Sequence, residues 1–296
     1  MKRFYLLFSM LTSFVAYAQS DKPAAYEVYE GYNLWNKQKG DTAYVFADVA
    51  YIRDYPDTDG TILLDSLTHG TMLLLTSDGY NERSIRGYNA PWHEVQYEKN
   101  GQIKRGFIWL GLLALGRQVD DQGNQFIHGL LRFEKATAYG GNLYICEVKY
   151  LTENQKLLGR GHYPVTKVGQ TYTTSKLLPN MGLEGLQYIH RVGFYGEACG
   201  IPTTHYYLGW DGENFVDMFS KSSVSDAGVS YYEENILFPV EHHLEPGLII
   251  KDIVQGEVID YEAEELQYSE TRHRQKYSWD GKHIRQILEM KSLSNE

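Results

Sequence analysis

The chain has 296 residues, of which 43% are hydrophobic and 14% aromatic, with 25 tyrosines and only two cysteines. Its 38 acidic residues outnumber 28 basic ones, for a formal net charge of −10. That balance argues against nucleic acid or an anionic lipid surface as a partner, because both need clustered Lys and Arg. The length suits one large domain or two ordinary ones.

The first element is an export signal. Lys2 and Arg3 form a positive n-region, residues 4–15 form an apolar h-region, and Ala16-Tyr17-Ala18 places small residues where a signal peptidase reads. Cleavage is expected between Ala18 and Gln19, leaving a chain of net charge −12. The apolar run is well short of the ~20 residues that span a bilayer. No cysteine lies near the cleavage point to carry a lipid, and no later stretch reads as a membrane span. The expected location is therefore extracytoplasmic, periplasmic or secreted, with no membrane anchor after cleavage. Residues 19–42 read as an N-terminal arm whose Tyr26, Tyr29 and Trp35 are placed to pack on a neighbouring domain.

Residues 43–116 carry short apolar segments at 44–49, 62–64, 71–76, 92–97 and 106–110, separated by Pro-, Asp- and Gly-rich turns. Strands at this spacing predict a small barrel. Asn100-Gly101 is the sharpest turn signal, since both residues tolerate positive φ. Residues 78–90 read as a long loop with Tyr80, Arg83, Arg86 and Tyr88.

Four motifs in this stretch occur in order. They are Ala50-Tyr51-Ile52-Arg53-Asp54-Tyr55-Pro56, Leu67-Thr68-His69-Gly70-Thr71, Pro91-Trp92-His93-Glu94-Val95, and Gly101 to Ile108 with its Gly106-Phe107-Ile108 end. Together they resemble the bacterial SH3 (SH3b) domain over about a quarter of the chain. The resemblance implies an SH3-like small barrel and a binding module, often one that targets a larger protein to cell-wall peptide or glycan. Aromatic faces stack on sugar rings and peptide backbones, and Tyr and Trp add a polar handle. Candidate ligand-binding residues are Tyr51, Tyr55, Tyr88, Trp92 and Trp109. A small barrel must also fill its interior, so Trp92 and Trp109 equally suit a core.

Residues 117–125 are polar and turn-rich and read as a linker. Residues 126–296 continue as a larger β-rich domain, with strands predicted at 126–135, 143–151, 186–195, 205–210, 215–219 and 236–240. Residues 282–290 fit either a helical face or a poor strand. Trp210-Asp211-Gly212 and Trp279-Asp280-Gly281 each follow a tyrosine-containing segment, and Asp-Gly between apolar flanks signals a hairpin. This region distantly resembles a partial β-propeller, and a twisted sandwich fits it as well. The predicted fold class is all-β.

Chemistry is sparse. Cys146 and Cys199 either pair as one disulfide or remain separate thiols, and sequence does not choose. A cysteine hydrolase would use Cys199 with His205, but Gly200 and Pro202 follow the thiol where an activating helix would start. His242 and His243 are adjacent and the other histidines isolated, so no zinc spacing appears; no cofactor or metal is expected. Acidic pairs such as Glu233-Glu234 read as solvated faces. The expectation is a non-enzymatic exported envelope protein whose SH3b-like module binds cell-wall peptide, glycan or a protein partner. The alternatives are a cell-wall hydrolase using Cys199 or a carboxylate pair, and a purely structural envelope protein.

Overall fold

A computed structural model describes residues 34–135, 142–166, 169–260 and 266–291. The expected signal peptide, with Ala18 and Gln19, lies outside the described residues, as do Tyr26 and Tyr29. The protein is all-β, and its strands form three antiparallel sheets.

The first sheet contains β1 (Thr42–Tyr44), β2 (Val49–Arg53), β3 (Leu63–Thr68), β4 (Met72–Leu75), β5 (Tyr80–Ile85), β6 (Tyr88–Lys99) and β7 (Gln102–Trp109). Its order is β1-β4-β6-β7-β2-β3, with β5 paired to β6, and β1 and β3 end the path without joining. Asn100 (φ 55°) and Gly101 (φ 72°) turn β6 into β7, as their tolerance of positive φ predicts. The expected loop at 78–90 is instead largely the β5–β6 hairpin. It turns at Arg86 (φ 58°) and Gly87 (φ 85°). On β2, Ala50 and Ile52 point inward while Val49 and Tyr51 face out, the period of two that one buried face imposes.

The second sheet contains β8 (Gly116–Val119), β9 (Gln125–Glu134), β10 (Leu143–Leu151) and β11 (Leu157–Thr166). The expected linker at 117–125 is corrected here. Its first residues form β8, and Asp120 to Asn124 make a tight turn around the Asp120 carboxylate. Local polarity resembled a linker, but the polar groups are consumed in closing a hairpin. Six consecutive residues from Gln125 to Leu130 are buried, so β9 is covered on both faces. On one face Gly129 lets the Phe46 ring approach to where a Cβ would sit 2.5 Å from the ring carbon Cγ. The other face, with Phe126 and Leu130, joins the main core.

The third sheet is a meander in chain order. It contains β12 (Tyr172–Pro179), β13 (Tyr188–Tyr195), β14 (Thr203–Trp210), β15 (Phe215–Asp226), β16 (Ser230–Leu237), β17 (Leu248–Asp260), β18 (Gln267–Trp279) and β19 (Ile284–Lys291). Residues 282–290 thus fall mostly in a strand. The end of the predicted 236–240 strand is instead the short helix α1 (Pro239–His242). Eight strands in one sheet are not separate four-stranded blades, so the partial-propeller expectation gives way to a continuous sheet. The second sheet stacks on its first strands, as in a sandwich: Gly159 and Gly161 make room for Trp210 and Phe215. The two Trp-Asp-Gly sites are matching hairpins. Asp211 accepts from the Glu213 and Asn214 amides, and Asp280 from the Lys282 and His283 amides.

One core runs from Trp35 of the arm and Ala50 and Trp109 of the first sheet through Leu130 and Cys146 of the second to Val192 and Trp210 of the third. A second core, around Leu183, Phe238, Ile249 and Trp279, lies on the third sheet.

Candidate functional site

The five aromatic residues proposed from sequence divide sharply. Tyr51 and Tyr55 are 48% and 42% exposed, whereas Tyr88, Trp92 and Trp109 are 3%, 2% and 1% exposed. The last three lie in the core: Tyr88 is corrected from ligand-facing, and Trp92 and Trp109 take the core alternative. The reason is register. Trp92 pairs directly with Trp109 across β6 and β7, so both share the inward face. Trp109 Nε1 donates to the Ala90 carbonyl at 2.7 Å, and the single Tyr88 hydroxyl proton is shared between the Gly111 (3.0 Å) and Leu130 (3.2 Å) carbonyls. Trp35 stacks on Tyr88 with centroids 6.1 Å apart and donates to the Leu113 carbonyl, so this part of the arm does pack on a neighbour.

Exposed apolar surface gathers on the β2–β3 hairpin instead. Leu63 and Leu64, on the strand paired with that of Tyr51, and Ile62 just before it are at least half exposed, and Tyr55 stands in the connecting turn. Arg53 on this hairpin is held by Thr61 Oγ1 at 2.7 Å. Asp57 in the same turn is held by Arg83 at 2.5 Å and by Asn81 at 3.0 Å. The Arg83 hydrogen bond holds the Asp57 carboxyl well below the usual carboxylate range. The turn that presents Tyr55 is therefore pinned to β5 by an ionised carboxylate.

A second constellation, absent from the sequence reading, joins the first two sheets. Lys149 is 2% exposed in its side chain and donates to the Phe46 carbonyl (2.7 Å) and to Asp48 Oδ1 (2.8 Å). It also sits 4.6 Å from the Phe46 ring centroid and 3.3 Å from Glu147 Oε2, the latter outside hydrogen-bond geometry. Arg160 bridges Glu147 (3.2 Å) and Asp48 (2.7 Å), while His162 approaches Glu147 and His69 approaches Asp48, each at 3.2 Å. Burial opposes ionisation of Asp48, but hydrogen bonds from Arg160 and Lys149 overcome it and hold its carboxyl well below the usual range. An acid–base catalyst needs a proton affinity near the working pH. Asp48 is far from that and is committed to its cationic partners. The arrangement is a strut between sheets. Glu147 and Lys149 at alternate positions of an otherwise apolar strand were its sequence signal; Asp48, a hundred residues away, carried none.

The third place is an open cleft of about 520 Å³ around the β13–β14 connection, lined by Glu197, Cys199, Thr203, Ser225, Tyr232 and Glu233 among others. Cys199 is exposed and Cys146 is fully buried, and both are free. The disulfide alternative is thus corrected to two separate thiols, because Cys146 points into the core. Cys199 sits on a loop, not at a helix N-terminus, and His205 does not line the cleft. His205 Nε2 instead faces the Tyr195 hydroxyl at 3.1 Å, and burial, with Arg191 and Lys221 nearby, lowers its pKa to about 4. The pair needed for thiol hydrolysis is not assembled. Among the described residues no group of three or more His, Cys, Asp or Glu is placed to hold a metal ion, and no helix is long and apolar enough to cross a membrane.

No protein-family model, curated protein or solved structure matches the chain.

Proposed function

We propose that the protein is a non-enzymatic, exported envelope protein whose N-terminal sheet is an SH3b-like module that holds a cell-wall peptide or glycan. The observation that carries this reading is the exposed surface of the β2–β3 hairpin. Tyr51 and Tyr55 present aromatic faces beside Ile62, Leu63 and Leu64, on a turn fixed by Arg53, Asp57 and Arg83. Isolated exposed apolar residues are ordinary, but several gathered on one rigid hairpin mark an interaction surface. Two tyrosines on such a surface suit stacking against a sugar ring or an extended peptide. The ordered SH3b-like motifs and the signal-like residues 1–18 support the same compartment and partner class. The strut at Lys149 and the open loop at Cys199 support a role without covalent chemistry.

The test is retention of the mature protein on purified peptidoglycan. Retention is expected for the wild type and for Cys199→Ala, and its loss for Tyr51→Ala/Tyr55→Ala. No retention of the wild type, or equal retention of the double variant, would overturn the reading and leave the purely structural alternative.

A further inference from the structure

His128 lies on β9, opposite Gly116 of β8 and Val148 of β10. His190 lies on β13, opposite Leu177 of β12 and Leu208 of β14. Both are 0% exposed, and their ring centroids are 5.6 Å apart across the junction of the second and third sheets. All four ring nitrogens are buried without a hydrogen-bond partner among the described residues. A neutral imidazole carries one donor and one acceptor, so burying two unpaired rings costs free energy that two apolar residues would not. Native interiors rarely leave such groups unpaired.

The surroundings are tight and mostly apolar. Phe126 stacks on His190 at 5.6 Å, and Phe126 also meets Tyr150 and Phe215. A Cβ at Gly116 would lie 2.5 Å from His128 Cε1, so only glycine leaves space for that ring. Ser175 of β12 borders the same space, its Oγ 3.0 Å from that Cβ position, and Gln118 Nε2 donates to the Ser175 carbonyl at 2.9 Å.

Charged groups on the packed strands are directed elsewhere. Arg117 of β8 lies over the Tyr44 ring and donates to Gln125. Asp120 and Asp121 of the β8–β9 turn accept from Tyr150 and Tyr188. Lys149 of β10 is held in the strut, and Arg160 and His162 of β11 join it there. Lys176 of β12, Arg191 of β13 and His205 of β14 are an odd number of residues from the inward positions of their strands, on the opposite faces. Asp217 of β15 pairs with Leu208 but is exposed. Among the described residues no carboxylate is therefore placed to compensate a proton on either ring.

We propose that His128 and His190 form an acid-sensitive latch that holds the third sheet on the second at neutral pH and releases it when either ring is protonated. A proton on one ring places an uncompensated charge in the apolar junction, and a second proton adds repulsion across 5.6 Å. Burial pushes the His128 pKa far down, with His190 adding to it, and lowers His190 to about 3. Both folded-state values lie below the unfolded value of about 6.5, so the closed junction is fully favoured above that pH and loses stability as pH falls. At pH 4.5 each ring favours release by about 100-fold relative to neutral pH. The ion-paired carboxylates of Asp48, Asp57 and Asp65 stay ionised there, since each is held well below its usual range. Acidification therefore acts on the His junction before it reaches the carboxylate ties of the other sheets.

The experiment is amide hydrogen exchange on the mature protein at pH 7.5 and 4.5, corrected for intrinsic rates. In the wild type, residues 188–210 are expected to lose at least tenfold protection at pH 4.5 while the paired strands at residues 49–53 and 63–68, which contain no histidine, keep theirs. In His128→Phe/His190→Phe, protection of 188–210 should persist at pH 4.5. Unchanged protection in the wild type, or the same loss in the double variant, overturns the proposal. Should that variant fail to fold, histidine NMR of the wild type decides. The two rings should stay neutral until protection is lost and then titrate together with it; independent titration near pH 6.5 in the closed protein overturns the latch.

Discussion

Lys149 Nζ meets Asp48 Oδ1 at 2.8 Å, although the two residues are 101 positions apart in sequence. The lysine side chain is 2% exposed and the aspartate 54%, so the pair runs from the interior to the rim of the joint between the first two sheets. Removing the buried cation would leave Glu147, also 2% exposed, with less compensation for its charge.

Lys149→Met is therefore expected to destabilise the protein by about 3–5 kcal/mol, the cost of breaking a buried ion pair from one side. Urea unfolding at pH 7 checks this. Lys149→Met/Glu147→Leu should recover part of the loss, because neither charge is then stranded; a double variant weaker than the sum of the singles would contradict the strut.

Asp65 gives a pH dependence of known sign. Burial opposes its ionisation, but hydrogen bonds from Lys99 and Lys104 dominate and hold its carboxyl well below the usual range. The folded value lies under the unfolded one, so this stabilisation is present above about pH 4 and is lost as pH falls further. Between pH 4 and 2 the wild-type urea midpoint should drop more steeply than that of Asp65→Asn.

Trp109 and Tyr51 should separate folding from surface chemistry. Trp109→Ala removes a ring that is 1% exposed, stacks on Tyr88 at 5.1 Å and donates to Ala90. It is expected to cost about 3–5 kcal/mol. Tyr51→Ala, at an exposed position, should change stability by no more than about 0.5 kcal/mol. Thermal melts of the two variants measure the contrast.

The cysteines should react one at a time. Cys199 is exposed, while burial pushes the fully buried Cys146 thiol up, away from the reactive thiolate. A colorimetric thiol reagent should label one cysteine per native chain and two in denaturant, with the native signal abolished by Cys199→Ser. Two rapidly reacting thiols in the native protein would contradict the packing of Cys146.

By itself the sequence determined the all-β class and the sharpest turns. Asn100-Gly101, Asp211-Gly212 and Asp280-Gly281 act through local φ preferences and side-chain hydrogen bonds that need no distant partner. The β-rich composition likewise marked strands at β10 and β14. It missed β5 because the polar run Tyr80-Asn81-Glu82-Arg83-Ser84 lacks a buried face, and it took the β8–β9 hairpin for a linker. Only the tertiary structure decided which aromatic rings are core, that one core crosses all three sheets, and that Lys149, Asp48, Glu147 and Arg160 meet. It also brought His128 to His190 from strands sixty residues apart. The physical reason is that a strand's inward face depends on its pairing register and on the sheet above it. Trp92 and Trp109 are inward because they face one another across β6 and β7, while Tyr51 lies on the other face of the same sheet.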